Sequence, residues 1–102
     1  MQKLIKDGKV GILFSPGFGA GWSTWNPTIP ELLFDPSIVN FVEQEKWDEL
    51  STYISLKYPD IYTGGMKDLK VAWIPEGTEF KVNEYDGSES IELKENTDWL
   101  IA

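Results

Sequence analysis

The sequence predicts a small α+β protein, and three observations carry that prediction. A helix-start signal followed by apolar residues at helical spacing fills the middle of the chain, from Asp35 to Tyr58. From Leu69 onward the apolar period shortens to two, the period of a half-buried strand. Between Ser15 and Asn26 neither period holds: the segment reads Ser-Pro-Gly-Phe-Gly-Ala-Gly-Trp-Ser-Thr-Trp-Asn, with three glycines and two tryptophans. At 102 residues the chain is expected to form a single domain over residues 1–102, with an N-terminal strand, a Gly/Trp loop, two central helices and a C-terminal antiparallel sheet of hairpins.

Val10-Gly11-Ile12-Leu13-Phe14 is a short run of strand formers bounded by Asp7-Gly8 and Ser15-Pro16-Gly17, so it predicts a buried strand. The Gly/Trp segment follows at that strand's C-terminal end. Pro27 and Pro30 keep their predecessors out of the helical region, and Glu31 to Phe34 has room for one helical turn. Asp35-Pro36 then starts a helix. The carboxylate accepts from the free N–H groups of the first turn, and the fixed φ of proline suits the first helical position. Ile38, Val39, Phe41 and Val42 form its apolar side. After Gln44-Glu45 a second helix places Trp47, Leu50, Ile54 and Tyr58 on one face and closes at Pro59, which puts Trp47 in the expected core. Beyond Tyr62-Thr63-Gly64-Gly65, Leu69, Val71 and Trp73 alternate with polar or small neighbours, as do Phe80 and Val82. Ile74-Pro75-Glu76-Gly77 predicts a tight turn with proline at its second position, and Asp86-Gly87 is the strongest two-residue hairpin signal. Two hairpins are expected, with Ile91 and Leu93 facing inward, and Trp99-Leu100-Ile101 adds a short final strand.

Seventeen acidic residues against nine basic ones leave a net charge of -8, which repels a phosphate backbone and excludes broad nucleic-acid binding. The chain contains neither Cys nor His. That removes disulfides, thiolate ligands and thiol nucleophiles, together with the commonest general base and zinc ligand. Without imidazole there is no serine triad. The expectation is a protein that is not an enzyme and uses no cofactor and no metal. The longest apolar runs are far shorter than the ~20 residues that span a bilayer, and Met1 to Gly8 lacks the apolar stretch of a signal peptide. A cytoplasmic protein without membrane contact is expected. Glu84, Asp86, Glu89 and Glu92 gather around one hairpin, where turn tips ordinarily leave carboxylates in water.

Gly17, Gly19 and Gly21 let the backbone approach a ligand closely, and Trp22 and Trp25 supply flat, amphipathic surfaces. Ser23, Thr24 and Asn26 add short donors and acceptors beside them. The stretch lacks the spacing of the dinucleotide fingerprint and the lysine of a P-loop. Two readings stand. In the first, Trp22 and Trp25 stack on a ring, the amides of Gly19 and Gly21 with Ser23 and Thr24 hold phosphate or ribose oxygens, and Asn26 reads a base edge. In the second, the segment is a tight loop whose indoles cap the core. Tyr58, Asp60 and Tyr62 offer a further polar, aromatic wall near Gly64-Gly65.

The string from Phe14 to Asn26, with Glu31-Leu32-Leu33-Phe34-Asp35-Pro36, Trp73-Ile74-Pro75-Glu76-Gly77, Glu84-Tyr85-Asp86-Gly87-Ser88-Glu89 and Asp98-Trp99, resembles a group of small bacteriophage proteins. The resemblance covers most of the chain and implies a phage origin. The C-terminal pattern of Pro75-x-Gly77-Thr78 followed by Asp98-Trp99 is also similar to phage anti-defence sponges that sequester nucleotide immune signals, although the Lys- and Trp-rich N-terminal pattern of those sponges is absent. Together the residues and the resemblance lead to the expectation of a homo-oligomer that captures a small nucleotide-like ligand at residues 17–26. The alternative is an acidic module that occupies a basic surface of a host defence protein, with the Trp loop as apolar anchor.

Overall fold

Two Asp-Gly dipeptides set the hairpins. Asp7 and Gly8 have φ of 51° and 76°, and Asp86 and Gly87 have φ of 49° and 84°. Two consecutive positive φ values make a turn whose twist matches that of the strands it joins. The computed structural model describes residues 1–94, and the expected strand at Trp99-Leu100-Ile101 lies outside them. The first turn joins β1 (Ile5–Lys6) to β2 (Lys9–Phe14), and the second joins β4 (Phe80–Tyr85) to β5 (Ser88–Leu93). In the sequence Asp7-Gly8 marks only the boundary of an apolar run, because Leu4 and Ile5 are too short a stretch ahead of it to signal a strand. The same dipeptide builds a hairpin there as well.

The next strand, β3 (Lys70–Pro75), does not form the expected hairpin with β4. It pairs antiparallel with β2, from Lys9 opposite Pro75 to Phe14 opposite Lys70. Pro75 is the last residue of that strand and its carbonyl accepts the Thr78 N–H at 3.1 Å, so the turn begins at the proline instead of carrying it at the second position. The chain then leaves the sheet. Two antiparallel sheets result, ordered β1-β2-β3 and β4-β5, and with two helices they make the α+β fold.

Asp35 caps α1 (Pro36–Glu43), its Oδ1 accepting from the N–H of Ser37 at 2.9 Å and of Ile38 at 3.4 Å. The helix ends in a left-handed residue, Glu45 at φ 55°, with the Lys46 N–H donating to Phe41 O and the Glu45 N–H to Val42 O. Those two bonds satisfy carbonyls that the helix end would otherwise leave free. The chain turns directly into α2 (Trp47–Lys57). Pro30–Leu33 makes the single turn expected near Glu31 to Phe34 as a short 3-10 helix.

β2 is apolar on both faces, and both are covered. Leu13 faces a cluster of Trp22, Leu32, Ile38, Val39, Leu50 and Ile54, while Val10, Ile12 and Ile74 lie under Phe80, Ile91 and Leu93 of the β4–β5 hairpin. Helices therefore close one face of the three-stranded sheet and the hairpin closes the other. Trp47 departs from its expected core position and is 39% exposed. It opens the first turn of α2, ahead of Leu50, Tyr53 and Ile54, through which that helix packs on the core. Among the described residues no helix is long and apolar enough to cross a membrane.

Candidate functional site

The segment from Ser15 to Asn26 leaves β2 and wraps the tip of the β4–β5 hairpin. Glu89, the second residue of β5, holds it there. Its carboxylate accepts four hydrogen bonds: Oε1 from the Ser15 N–H at 2.9 Å, and Oε2 from the Trp22 N–H at 2.7 Å, the Thr24 N–H at 3.0 Å and the Thr24 hydroxyl. The Glu89 N–H donates to Ser15 O at 2.8 Å, the Gly19 N–H to Asp86 O at 2.8 Å, and the Ser88 hydroxyl to Pro16 O at 2.8 Å. Hydrogen bonds to a carboxylate are stronger than neutral ones, and here they lie out of water.

Glycine makes the close approach possible. A Cβ on Gly21 would lie 2.6 Å from Thr24 Oγ1 and 3.1 Å from Glu89 Oε2, and one on Gly87 would meet the Ala20 backbone N. Gly17 sits against Asp68 and opens onto a groove of about 370 Å³ shared with Trp47, Lys67 and Lys70.

Several expectations for this segment need correction. Trp22 is fully buried and donates from Nε1 to Leu32 O at 2.8 Å, so its ring faces the core and cannot stack on a ligand. Of the groups expected to hold a phosphate, the Gly19 amide already donates to Asp86 and the Thr24 hydroxyl to Glu89, which also takes the neighbouring Trp22 and Thr24 amides. The loop does cradle an anion, and that anion is the protein's own carboxylate. Asn26 spends its side chain internally, donating from Nδ2 to Trp22 O and Tyr62 O and accepting the Tyr62 N–H at Oδ1. Glu89 itself was expected in water at the hairpin tip and is 1% exposed. The alternation of β5 contained that signal, because Glu89 shares a strand face with Ile91 and Leu93, which point inward.

Trp25 points the other way. It is 39% exposed, lies tilted against Tyr62 with ring centroids 5.2 Å apart, and approaches Glu84 Oε2 with its Nε1 at 3.4 Å. Asn26 thus brings the Tyr62 segment beside the tryptophan. Phe18 (79% exposed) and Tyr85 (75% exposed) stand at the junction of loop and hairpin tip, next to the residues joined by the Gly19–Asp86 bond. Ser23, Thr24 and Asn26 also border an open groove of about 300 Å³, walled by Leu33, Phe80 and Val82, with Lys81 at its edge.

A second buried carboxylate lies away from this site. Asp35 Oδ2 accepts from the hydroxyls of Tyr58 at 2.6 Å and Tyr53 at 2.8 Å and from Lys57 Nζ at 3.2 Å. Burial works to raise the Asp35 carboxyl, but the hydrogen bonds from Tyr58, Tyr53 and Lys57, with the charge of Lys57, outweigh it and hold the group below its ordinary value. Burial, then the bond to Asp35, pushes the Tyr58 hydroxyl well above its usual range, and bonds to Tyr53 and Asp35 keep Lys57 protonated well above its own. Every shift in this cluster moves away from neutral pH.

The fold and site define a class: a small α+β protein whose most unusual segment is locked from inside by a carboxylate and presents aromatic rings outside. Compared with known proteins, the chain matches no family model, no curated protein and no solved structure.

Proposed function

We propose that this protein is a non-catalytic binding module that grips a protein partner through the aromatic surface around the loop–hairpin junction. The observation that carries the reading is the exposure of Phe18, Trp25, Tyr62 and Tyr85 around Glu84 and Asp86, on a framework in which, among the described residues, every buried side-chain polar atom has a partner. Aromatic side chains dominate binding hot spots, because they bury large area at little entropic cost. Carboxylates at the rim and a net charge of -8 favour a basic partner surface and speed its encounter. The buried polar groups support the non-catalytic part of the reading: the Asp35 cluster is held away from neutral titration, and Glu89 is 1% exposed and wrapped by donors. The resemblance to small phage proteins makes a host protein the natural partner, within the bacterial cytoplasm.

A second reading is favoured by one observation, the open groove beside Ser23, Thr24 and Asn26. Its volume of about 300 Å³ is at the low end for small-ligand sites. A nucleotide-like ligand would there meet the Ser23 hydroxyl, Lys81 and the apolar wall, with Phe80 supplying an aromatic ring.

The two readings separate on one pair of measurements. Immobilised protein incubated with bacterial lysate should retain a specific protein that the Trp25→Ala variant loses, at a cost of about 2 kcal/mol in affinity for a hot-spot residue. A thermal-shift panel of mono-, di- and cyclic nucleotides should stay flat. A nucleotide that raises Tm, by the roughly 2.7 kcal/mol expected at a hundredfold excess over Kd, overturns the protein-binding reading in favour of the second.

A further inference from the structure

The open edge of β3 is a second surface, separate from the aromatic one, and its chemistry fits another copy of this chain. The Glu76 N–H donates to Gly8 O at 2.8 Å. Bonded and non-bonded pairs alternate along an antiparallel ladder, so the register makes Val10–Ile74, Ile12–Ala72 and Phe14–Lys70 the bonded pairs. The backbone N–H and C=O of Val71 and Trp73 therefore point away from β2. Among the described residues β3 pairs with β2 alone, and these groups meet no partner strand. The Trp73 ring leaves the edge clear: it folds back across β2 over Gly11, where a Cβ would lie 3.2 Å from the indole, and donates from Nε1 to Glu43 at 2.7 Å. Ala72, beside it, is small.

We propose that two copies pair through this edge, antiparallel about a two-fold axis at Trp73, to make one six-stranded sheet. Charge selects the register. With the axis at Trp73, exposed Lys70 lies opposite exposed Glu76 of the second copy, twice by symmetry. A shift of the axis to Ala72 sets Asp68 against Glu76, a like-charge pair. In the favoured register Trp73 exchanges both backbone bonds with Trp73 of the second copy, and each Val71 N–H donates to the second lone pair of Pro75 O across the interface, the first taking the Thr78 N–H of its own turn. Pro75, which has no N–H to give, ends the ladder. Pairing at an open strand edge is a known hazard that folds usually blunt with charge, and here the charges are self-complementary.

Sedimentation equilibrium of the full chain over a wide concentration range tests this. The wild-type protein should reach a dimer, and the amides of Val71 and Trp73 should exchange more slowly with deuterium as concentration rises. Val71→Pro removes a donor that only the dimer uses while leaving the β2-facing donors of Lys70, Ala72 and Ile74 in place. It should weaken association roughly tenfold or more, through two lost bonds per dimer. Lys70→Glu should weaken it as well, and Lys70→Glu combined with Glu76→Lys should restore it, a recovery no folding defect gives. A wild-type protein that stays monomeric at the highest concentration overturns the proposal. So does a dimer indifferent to Val71→Pro and to both charge variants, because its contact then lies elsewhere.

Discussion

Glu89 and Asp35 are both carboxylates buried to within a few percent, and both collect several donors, yet they solve different problems. Asp35 serves its own neighbourhood. One oxygen caps the helix that begins at the next residue, and the other gathers Tyr53 and Lys57 from the helix that follows and Tyr58 from just past its end. Glu89 has no local partner: its donors sit 65 to 74 residues earlier in the chain. The two also differ in their access to water. The Lys57 side chain is 54% exposed and can turn outward if its partner goes, whereas the amides of Ser15 and Trp22 belong to buried residues and have no such escape. The comparison teaches that the number of bonds matters less than what happens to each donor once the acceptor is lost.

The sharpest way to break that comparison is to remove each acceptor in turn. Glu89→Ala leaves three backbone N–H groups and a hydroxyl without an acceptor. At about 1–3 kcal/mol for each buried unsatisfied group, the loss should be at least about 3 kcal/mol, a large share of a small domain's stability. Urea unfolding measures it. If Asp35→Ala costs as much, solvent access is not what separates the two carboxylates. Glu89→Gln should fall between, because the amide keeps one acceptor oxygen but turns its NH2 toward the donors.

Gly21→Ala probes the same hub without touching its charge. The added methyl presses on Thr24 Oγ1 and on Trp25 Cδ1 at 2.7 Å, which should cost about 1–3 kcal/mol by overpacking. It should also disturb the near-ultraviolet signal of the tryptophans.

Asp35→Asn should cost less, about 1–2 kcal/mol, since an amide oxygen still caps α1 and only the charge-assisted bonds weaken. Its signature is pH. Asp35 is held below its ordinary value of 3.8, so its contribution is complete above that value and vanishes as pH falls through the lower native one. Acid titration of stability should therefore lose part of its steepness below about pH 4 in the variant. The smallest effect is a gain: Glu45→Gly relieves a left-handed residue at the end of α1 and should add about 0.5–1 kcal/mol, provided the wild-type bonds from Glu45 and Lys46 persist.

What the chain's residues determined alone was local. Asp35-Pro36 starts a helix and Asp86-Gly87 closes a hairpin, because each acts through a few bonds of its own backbone. The apolar spacing through α1 and α2 and the inward parity of Ile91 and Leu93 were equally readable, and they placed most of the core. The partner of β2 was not. A run apolar on both faces demands neighbours without saying which, and β3 won that place over a hairpin with β4. The divergent fates of Trp22 and Trp25, three residues apart, were likewise decided only in three dimensions, where Glu89 and Leu32 draw one inward and Tyr62 and Glu84 meet the other outside. Hydrogen-bond acceptors that arrive from seventy residues away leave no local pattern, so a loop composed like a ligand cradle could not declare that its anion came from the same chain.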